Sequence, residues 1–213
     1  MIDEALFERF SPPAGFAGKC RELYKLLCEA NAVTNLTRID SEEGFTVKHV
    51  LDSLYILDYF PFLTEKSDKI QLADVGCGAG FPSLVLALCR PELKITAIDS
   101  AGKKVAFVAM AAERLGLANL TAVQGRTREM ACRSEWAERF DVITARAVGA
   151  APLIYTDARK MLKSSGRFIL YKTPNQAAEE LPELKKIKPA RPWRVTADFQ
   201  LPDASGDRCF IYF

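Results

Sequence analysis

Three glycines at alternate positions, Gly76, Gly78 and Gly80, interrupt an apolar run in the stretch LADVGCGAGFPSL (72–84). Asp99 closes a second apolar run, KITAID, 23 residues beyond Gly76. Glycine admits positive φ and lets a ligand approach the backbone. Pro82 suits the first turn of a following helix, whose free N–H groups face an anionic part of that ligand. An acid ending the neighbouring strand can accept hydrogen bonds from both hydroxyls of a ribose. The chemistry is therefore that of a nucleoside held at the ends of two strands. A phosphate-binding loop needs Gly-x-x-x-x-Gly-Lys-Ser/Thr, and no Gly-Lys-Ser/Thr occurs. The dinucleotide fingerprint needs glycine where this chain has Phe81. A NAD-dependent oxidoreductase, which would also use Asp99, is the alternative from another enzyme class.

Arg146 ends a later apolar run, DVITARAVG, where such folds bring side chains closest to the reacting atoms. It stays protonated and cannot act as a base. The Asn/Asp/Ser-Pro-Pro-aromatic pattern that orients an exocyclic amine is absent, as is a Pro-Cys nucleophile. An acceptor that needs no base, such as N7 of guanine, fits the site. Arg146 would hold a cofactor carboxylate, grip guanine O6, or pair structurally with a nearby acid. His49 is the only histidine, and no Gly-x-Ser-x-Gly is present to meet it. The six cysteines are scattered with no Cys-x-x-Cys pair, so they read as small buried residues, and no metal site is expected.

These residues must be set by a framework, and the pattern supplies one. Residues 1–66 read as helices: Phe16, Cys20, Leu23, Tyr24 and Leu27 form one apolar stripe. Asp40 with Glu43 offers a capping box opening a helix that Pro61 closes. After residue 66, β-rich runs (IQLADV, KITAID, LTAVQG, FDVITAR, GRFILYK) alternate with helices expected over 82–89, 102–115, near 128–137 and 150–163. Such alternation means βαβ units and a mostly parallel sheet with helices on both faces. The tail, WRVTADFQL and DRCFIYF, reads as an antiparallel hairpin around a Pro-Asp…Gly turn at one sheet edge. The expectation is a doubly wound α/β fold in one structural unit: a helical N-terminal extension (1–66) and a ligand-binding domain (67–213).

The 213 residues carry 49% hydrophobic and 26% charged residues, with a net charge of +2. No apolar run reaches the length of a membrane span, and the acidic start MIDEALFERF does not look like a signal peptide, so a cytoplasmic protein is expected. Charge is uneven: residues 159–194 hold 10 basic and 3 acidic side chains. Lys185, Lys186, Lys188, Arg191 and Arg194 surround Trp193 there, a candidate RNA-binding face or a solvated loop.

The Asp-x-Gly-x-Gly-x-Gly loop with its acid resembles the class I (Rossmann-like) S-adenosylmethionine-dependent methyltransferases. The resemblance narrows further. NAVTNLTRI, KHVLDSL, ADVGCGAGFPSLVLAL, ITAIDSAGKKVAFV, VQGRTREM, ITARAVG and GRFILYK occur in this order over nearly the whole chain. They are similar to the bacterial 16S rRNA guanine-N7 methyltransferase family, also called glucose-inhibited division protein B. The resemblance implies an enzyme that methylates a guanine in the 530 loop of small-subunit rRNA, with S-adenosylmethionine as cofactor and 16S rRNA or the small subunit as partner. It implies that Gly76, Gly78, Gly80 and Phe81 form the cofactor loop, and that Asp99 takes the ribose. Thr127 and Arg128 match the adenine-contacting pair, and Arg146 the cofactor-binding arginine. Asn35, His49, Asp52 and Ser53 would frame the mouth, with Asn35 and His49 reaching substrate. Lys172 would meet RNA at the end of the fifth strand. No catalytic side chain is expected beyond positioning by Arg146, and a monomer is expected.

The chain departs from the family pattern at two places. Ser83 stands where glycine is common, and Arg128 where a carboxylate is usual, leaving backbone atoms to accept from the adenine amino group. Arg128 also motivates a second alternative, a non-catalytic ribosome- or RNA-binding module of the same fold.

Overall fold

The computed structural model describes residues 2–37, 41–65 and 70–213. The expected Asp40 cap and the 66/67 boundary fall on residues outside this range. Five parallel strands form the centre of one sheet: β1 (Gln71–Val75), β2 (Lys94–Asp99), β3 (Leu120–Gln124), β4 (Phe140–Arg146) and β5 (Leu162–Lys172). Three short strands follow, β6 (Arg194–Val195), β7 (Phe199–Gln200) and β8 (Asp207–Tyr212), and the order across the sheet is β3-β2-β1-β4-β5-β8-β6. The chain adds strands outward from β1 on one side to β3 and then crosses to add β4 on the other, and this switch between β1 and β4 opens the crevice where ligands bind in such sheets.

Strand β1 is buried on both faces, as central parallel strands are. Leu72 points into a core shared with the N-terminal helices, and Ala73 and Val75 into a second core on the opposite face. The first core is packed by α1 (Phe16–Thr34), α4 (Ser83–Cys89) and α5 (Gly102–Arg114). The expected stripe is there: Phe16, Cys20, Leu23 and Leu27 are all buried. The second core is closed by α6 (Thr127–Met130), α7 (Ala151–Ala158) and α8 (Pro174–Lys186).

A continuous helical run covers 42–59. It begins as α2 (Glu42–Phe45), widens to a π-helical stretch over Thr46–Leu51, and ends as α3 (Asp52–Tyr59). The Ser41 side chain opens it, accepting from the Gly44 N–H at 3.1 Å. Pro61 ends the run as expected, starting a 3-10 turn.

Three expectations need correction. The helix near 128–137 is one turn, α6, followed by a 3-10 turn over Ser134–Trp136. The tail strand 193–201 is broken into β6 and β7, and both pair with β8. Strand β8 itself lies inside the sheet, antiparallel to β5, so the edge is β6. Two of the six cysteines, Cys28 and Cys132, are exposed rather than buried. Among the described residues no helix is long and apolar enough to cross a membrane.

Candidate active site

The glycine stretch turns directly off β1. Gly76, Gly78 and Gly80 all have positive φ, at 70°, 58° and 88°. Gly76 and Cys77 donate their N–H groups to the Ile98 carbonyl on β2, so the turn is held against the neighbouring strand. Behind it Asp74 is fully buried and accepts from the Ser83 hydroxyl at the start of α4. Burial pushes the Asp74 carboxyl up to about 6.

Asp99, 9% exposed at the end of β2, faces the same turn. Its Oδ2 accepts from the Gly78 N–H at 2.9 Å and its Oδ1 from the Ala101 N–H at 2.8 Å. A carboxylate oxygen has two lone pairs, so each oxygen keeps one for a ribose hydroxyl. Space above Gly78 is open, the nearest atom to a hypothetical Cβ being 4.0 Å away. The residues present fit a nucleoside whose diol rests on Asp99.

A cleft of about 640 Å³ runs over this turn. Gly76, Gly78, Phe81, Asp99, Thr127, Arg128 and Arg146 all line it, as does His49. Gly80 does not; its missing side chain instead makes room for Leu84, whose atoms lie 2.5 Å from where a Cβ would stand. Asn35 does not line the cleft either. It is exposed and takes the left-handed conformation (φ 48°) that ends α1, delivering Leu36 and Thr37 to the cleft wall.

Arg146 is held on three sides. Its guanidinium donates to the Asp52 carboxylate at 2.9 Å, to the Lys48 carbonyl at 3.0 Å and to His49 Nδ1 at 3.2 Å. Of the readings left open for this residue, pairing with an acid is present. Three of five N–H groups are used, which leaves two for a ligand. Arginine only donates, so His49 Nδ1 carries no proton and its Nε2–H points to the Thr37 hydroxyl at 3.1 Å. Burial, helped by the Arg146 charge, pushes His49 down to about 3. The neutral ring stacks on Phe81 at 4.2 Å, nearly parallel. Cys77 in the loop is buried, which raises its thiol and keeps it protonated.

Lys172 reaches neither the cleft nor open solvent. Its side chain is 5% exposed and paired with Glu180. Trp193 is likewise buried, against Tyr155 and Phe213, and is not free to stack on a base. Several lining residues were not anticipated: Lys104 on α5, Val148 after β4, and Leu153, Ile154 and Asp157 on α7. Only the 153/154/157 helical spacing could have flagged them as one face.

Comparison with known proteins identifies the family. Residues 17–192 match the family model GidB, described as rRNA small subunit methyltransferase G. Ribosomal RNA small subunit methyltransferase G of Geobacillus kaustophilus (strain HTA426) is 38% identical over 191 residues, covering 89% of this chain and 78% of the relative. The protein of that description from Exiguobacterium sibiricum is 37% identical over 195 residues, covering 90% and 79%. Among solved structures, a SAM-dependent methyltransferase from Aquifex aeolicus superposes with a TM-score of 0.61 at 15% identity, covering 84% of this chain and 96% of that one. A SAM-dependent O-methyltransferase from Thermotoga maritima gives 0.59 at 18% identity, covering 87% and 69%. The structural likenesses establish the class I methyltransferase fold. The sequence matches go further: the chain belongs to the rRNA small subunit methyltransferase G (GidB) family.

Proposed function

We propose that this protein transfers the methyl group of S-adenosylmethionine to N7 of a guanine in the 530 loop of 16S rRNA. S-adenosylmethionine supplies an electrophilic methyl group on its sulfonium. Asp99 accepts from the ribose diol, and the bare backbone at Gly76 and Gly78 lets the amino-acid end pass close to the turn. Thr127 and Arg128 flank the adenine, whose amino group finds backbone acceptors because position 128 is not a carboxylate. The two spare N–H groups of Arg146 orient the cofactor carboxylate or guanine O6.

The observation that carries the choice of acceptor lies at the Arg146 end of the cleft. The lone pair of His49 is taken by Arg146, and Arg146 is a permanent cation, so neither side chain can remove a proton. Guanine N7 has a free lone pair and loses no proton as the bond forms. Catalysis is then positioning, with cofactor and base brought in line. The stacked rings of His49 and Phe81 form a flat wall beside that line.

In the same reading, residues 1–66 are a helical extension and 67–213 the cofactor domain of one unit, working as a monomer in the cytoplasm without a metal. RNA outside the cleft is held by a basic groove that Arg133, Arg159, Lys160 and Arg191 line. This groove is at the opposite end of β4 and β5 from Arg146, so it would hold backbone phosphates and not the target base. The test is chemical cleavage at 7-methylguanosine in 16S rRNA after incubation with the protein and S-adenosylmethionine. A new break in the 530 loop is expected; an unmodified loop, or methyl at another atom, overturns the reading.

A further inference from the structure

The segment that faces the glycine turn across the cleft is Ala147–Ala150, between β4 and α7. Ala147 has a positive φ of 56°, which costs a non-glycine residue energy unless its surroundings hold it. Val148 lies directly over the turn: a Cβ on Gly76 would be 2.4 Å from its nearer methyl. Alanine at position 150 has no side chain with which to cap α7. The cap comes from elsewhere. The Ala151 N–H donates to Glu180 Oε2 at 2.6 Å, and Glu180 pairs with Lys172 at 2.8 Å. The Lys172 ammonium in turn donates to the Gly149 carbonyl at 2.8 Å. One buried ion pair therefore grips the carbonyl before Ala150 and the amide after it.

We propose that Lys172 and Glu180 are positioning residues for the methyl donor. They fix the Ala147–Ala151 segment, and so the gap between Val148 and Gly76, without touching the cofactor. The role rests on the cleft being an S-adenosylmethionine site. A negative carboxylate at the first free amides of α7 is favoured by the helix dipole, and a buried lysine is a stable partner only while that carboxylate is present. The pair is thus a clamp whose two halves depend on each other.

Removing one half leaves a buried charge, so Lys172→Met or Glu180→Gln alone is expected to lower stability. The double variant Lys172→Met/Glu180→Gln removes both charges and is the informative one. Its stability is expected to return toward wild type, while its affinity for S-adenosylmethionine, by calorimetry, stays reduced about tenfold. Hydrogen exchange at the Gly149 to Ala151 amides should rise in the absence of any cofactor, with β4 amides unchanged. Affinity that recovers together with stability overturns the proposal, as does unchanged exchange. Loss of rRNA binding with cofactor affinity intact would make Lys172 an RNA contact instead. A wild-type protein that binds no S-adenosylmethionine defeats the reading of the cleft, and the exchange measurement still decides the clamp.

Discussion

The two walls of the cleft are built by different means. The wall of β1 and β2 is local: turn, acid and helix start lie within 72–101, held by the Gly76 and Cys77 N–H groups on the Ile98 carbonyl and by the Asp99 carboxylate, which accepts from Gly78 and Ala101. The opposite wall depends on two largely buried ion pairs at the ends of adjacent strands, one of which joins distant parts of the chain. Arg146 on β4 is tied to Asp52 of the helical extension, 94 residues away, and Lys172 on β5 to Glu180 on α8. The local wall draws its contacts from one stretch of chain. An ion-paired wall depends on charge balance between segments, so removing one partner strands the other.

The difference can be broken first on the local side. Asp99→Asn keeps the size of the side chain but weakens acceptance of two hydroxyls. It should reduce S-adenosylmethionine affinity about 100-fold by calorimetry, and cost about 1 kcal/mol of stability, because an amide nitrogen cannot accept from the Gly78 or Ala101 N–H. On the distant wall the order of effects reverses. Arg146→Met strands Asp52, whose side chain is 7% exposed and whose second oxygen lies 3.4 Å from Arg208 Nε without a hydrogen bond. A stability loss of about 3 kcal/mol is expected in denaturant titration, largely recovered by adding Asp52→Asn.

Titration sharpens the contrast further. His49 is held neutral down to about pH 3, whereas the unfolded chain protonates it near 6.5. Stability from this residue therefore falls as pH drops from 6.5 toward 3. Asp74 behaves oppositely: it protonates near 6 when folded and near 3.8 when unfolded, so its contribution weakens as pH rises through that window. Between pH 4 and 6 the two slopes oppose each other. His49→Gln should leave the Asp74 slope uncovered, changing the pH dependence of unfolding by at most about 1.4 kcal/mol per pH unit. A mutant curve parallel to wild type would mean that the distant wall does not hold His49 neutral. The smallest effect belongs to the basic groove, remote from both walls. Arg159, Lys160 and Arg191 changed together to Gln should lower the salt dependence of rRNA binding by a slope of about 2, leaving cofactor affinity unchanged.

The same division explains what the sequence disclosed. The glycine turn, Asp99 and the parallel strands are each written in a few adjacent residues, and the structure has them where the pattern put them. Helix α8 carries a local signal, the Thr173–Gln176 capping box with Pro174 in the first turn, that a reading focused on the basic run passed over. Trp193 looked exposed because it sits among charges, yet its ring is pulled into the core by Tyr155, Phe168 and Phe213. The partner of Arg146 had no local signature. An ion pair across 94 residues becomes visible only when the helical extension is laid against the strand ends.

The most direct measurement is a crystal structure grown with S-adenosylmethionine. The ribose hydroxyls are expected on Asp99, with the sulfonium between the Gly76 turn and the wall of Arg146 and Val148. An empty cleft at saturating ligand, or a nucleoside with its diol turned away from Asp99, would contradict the account.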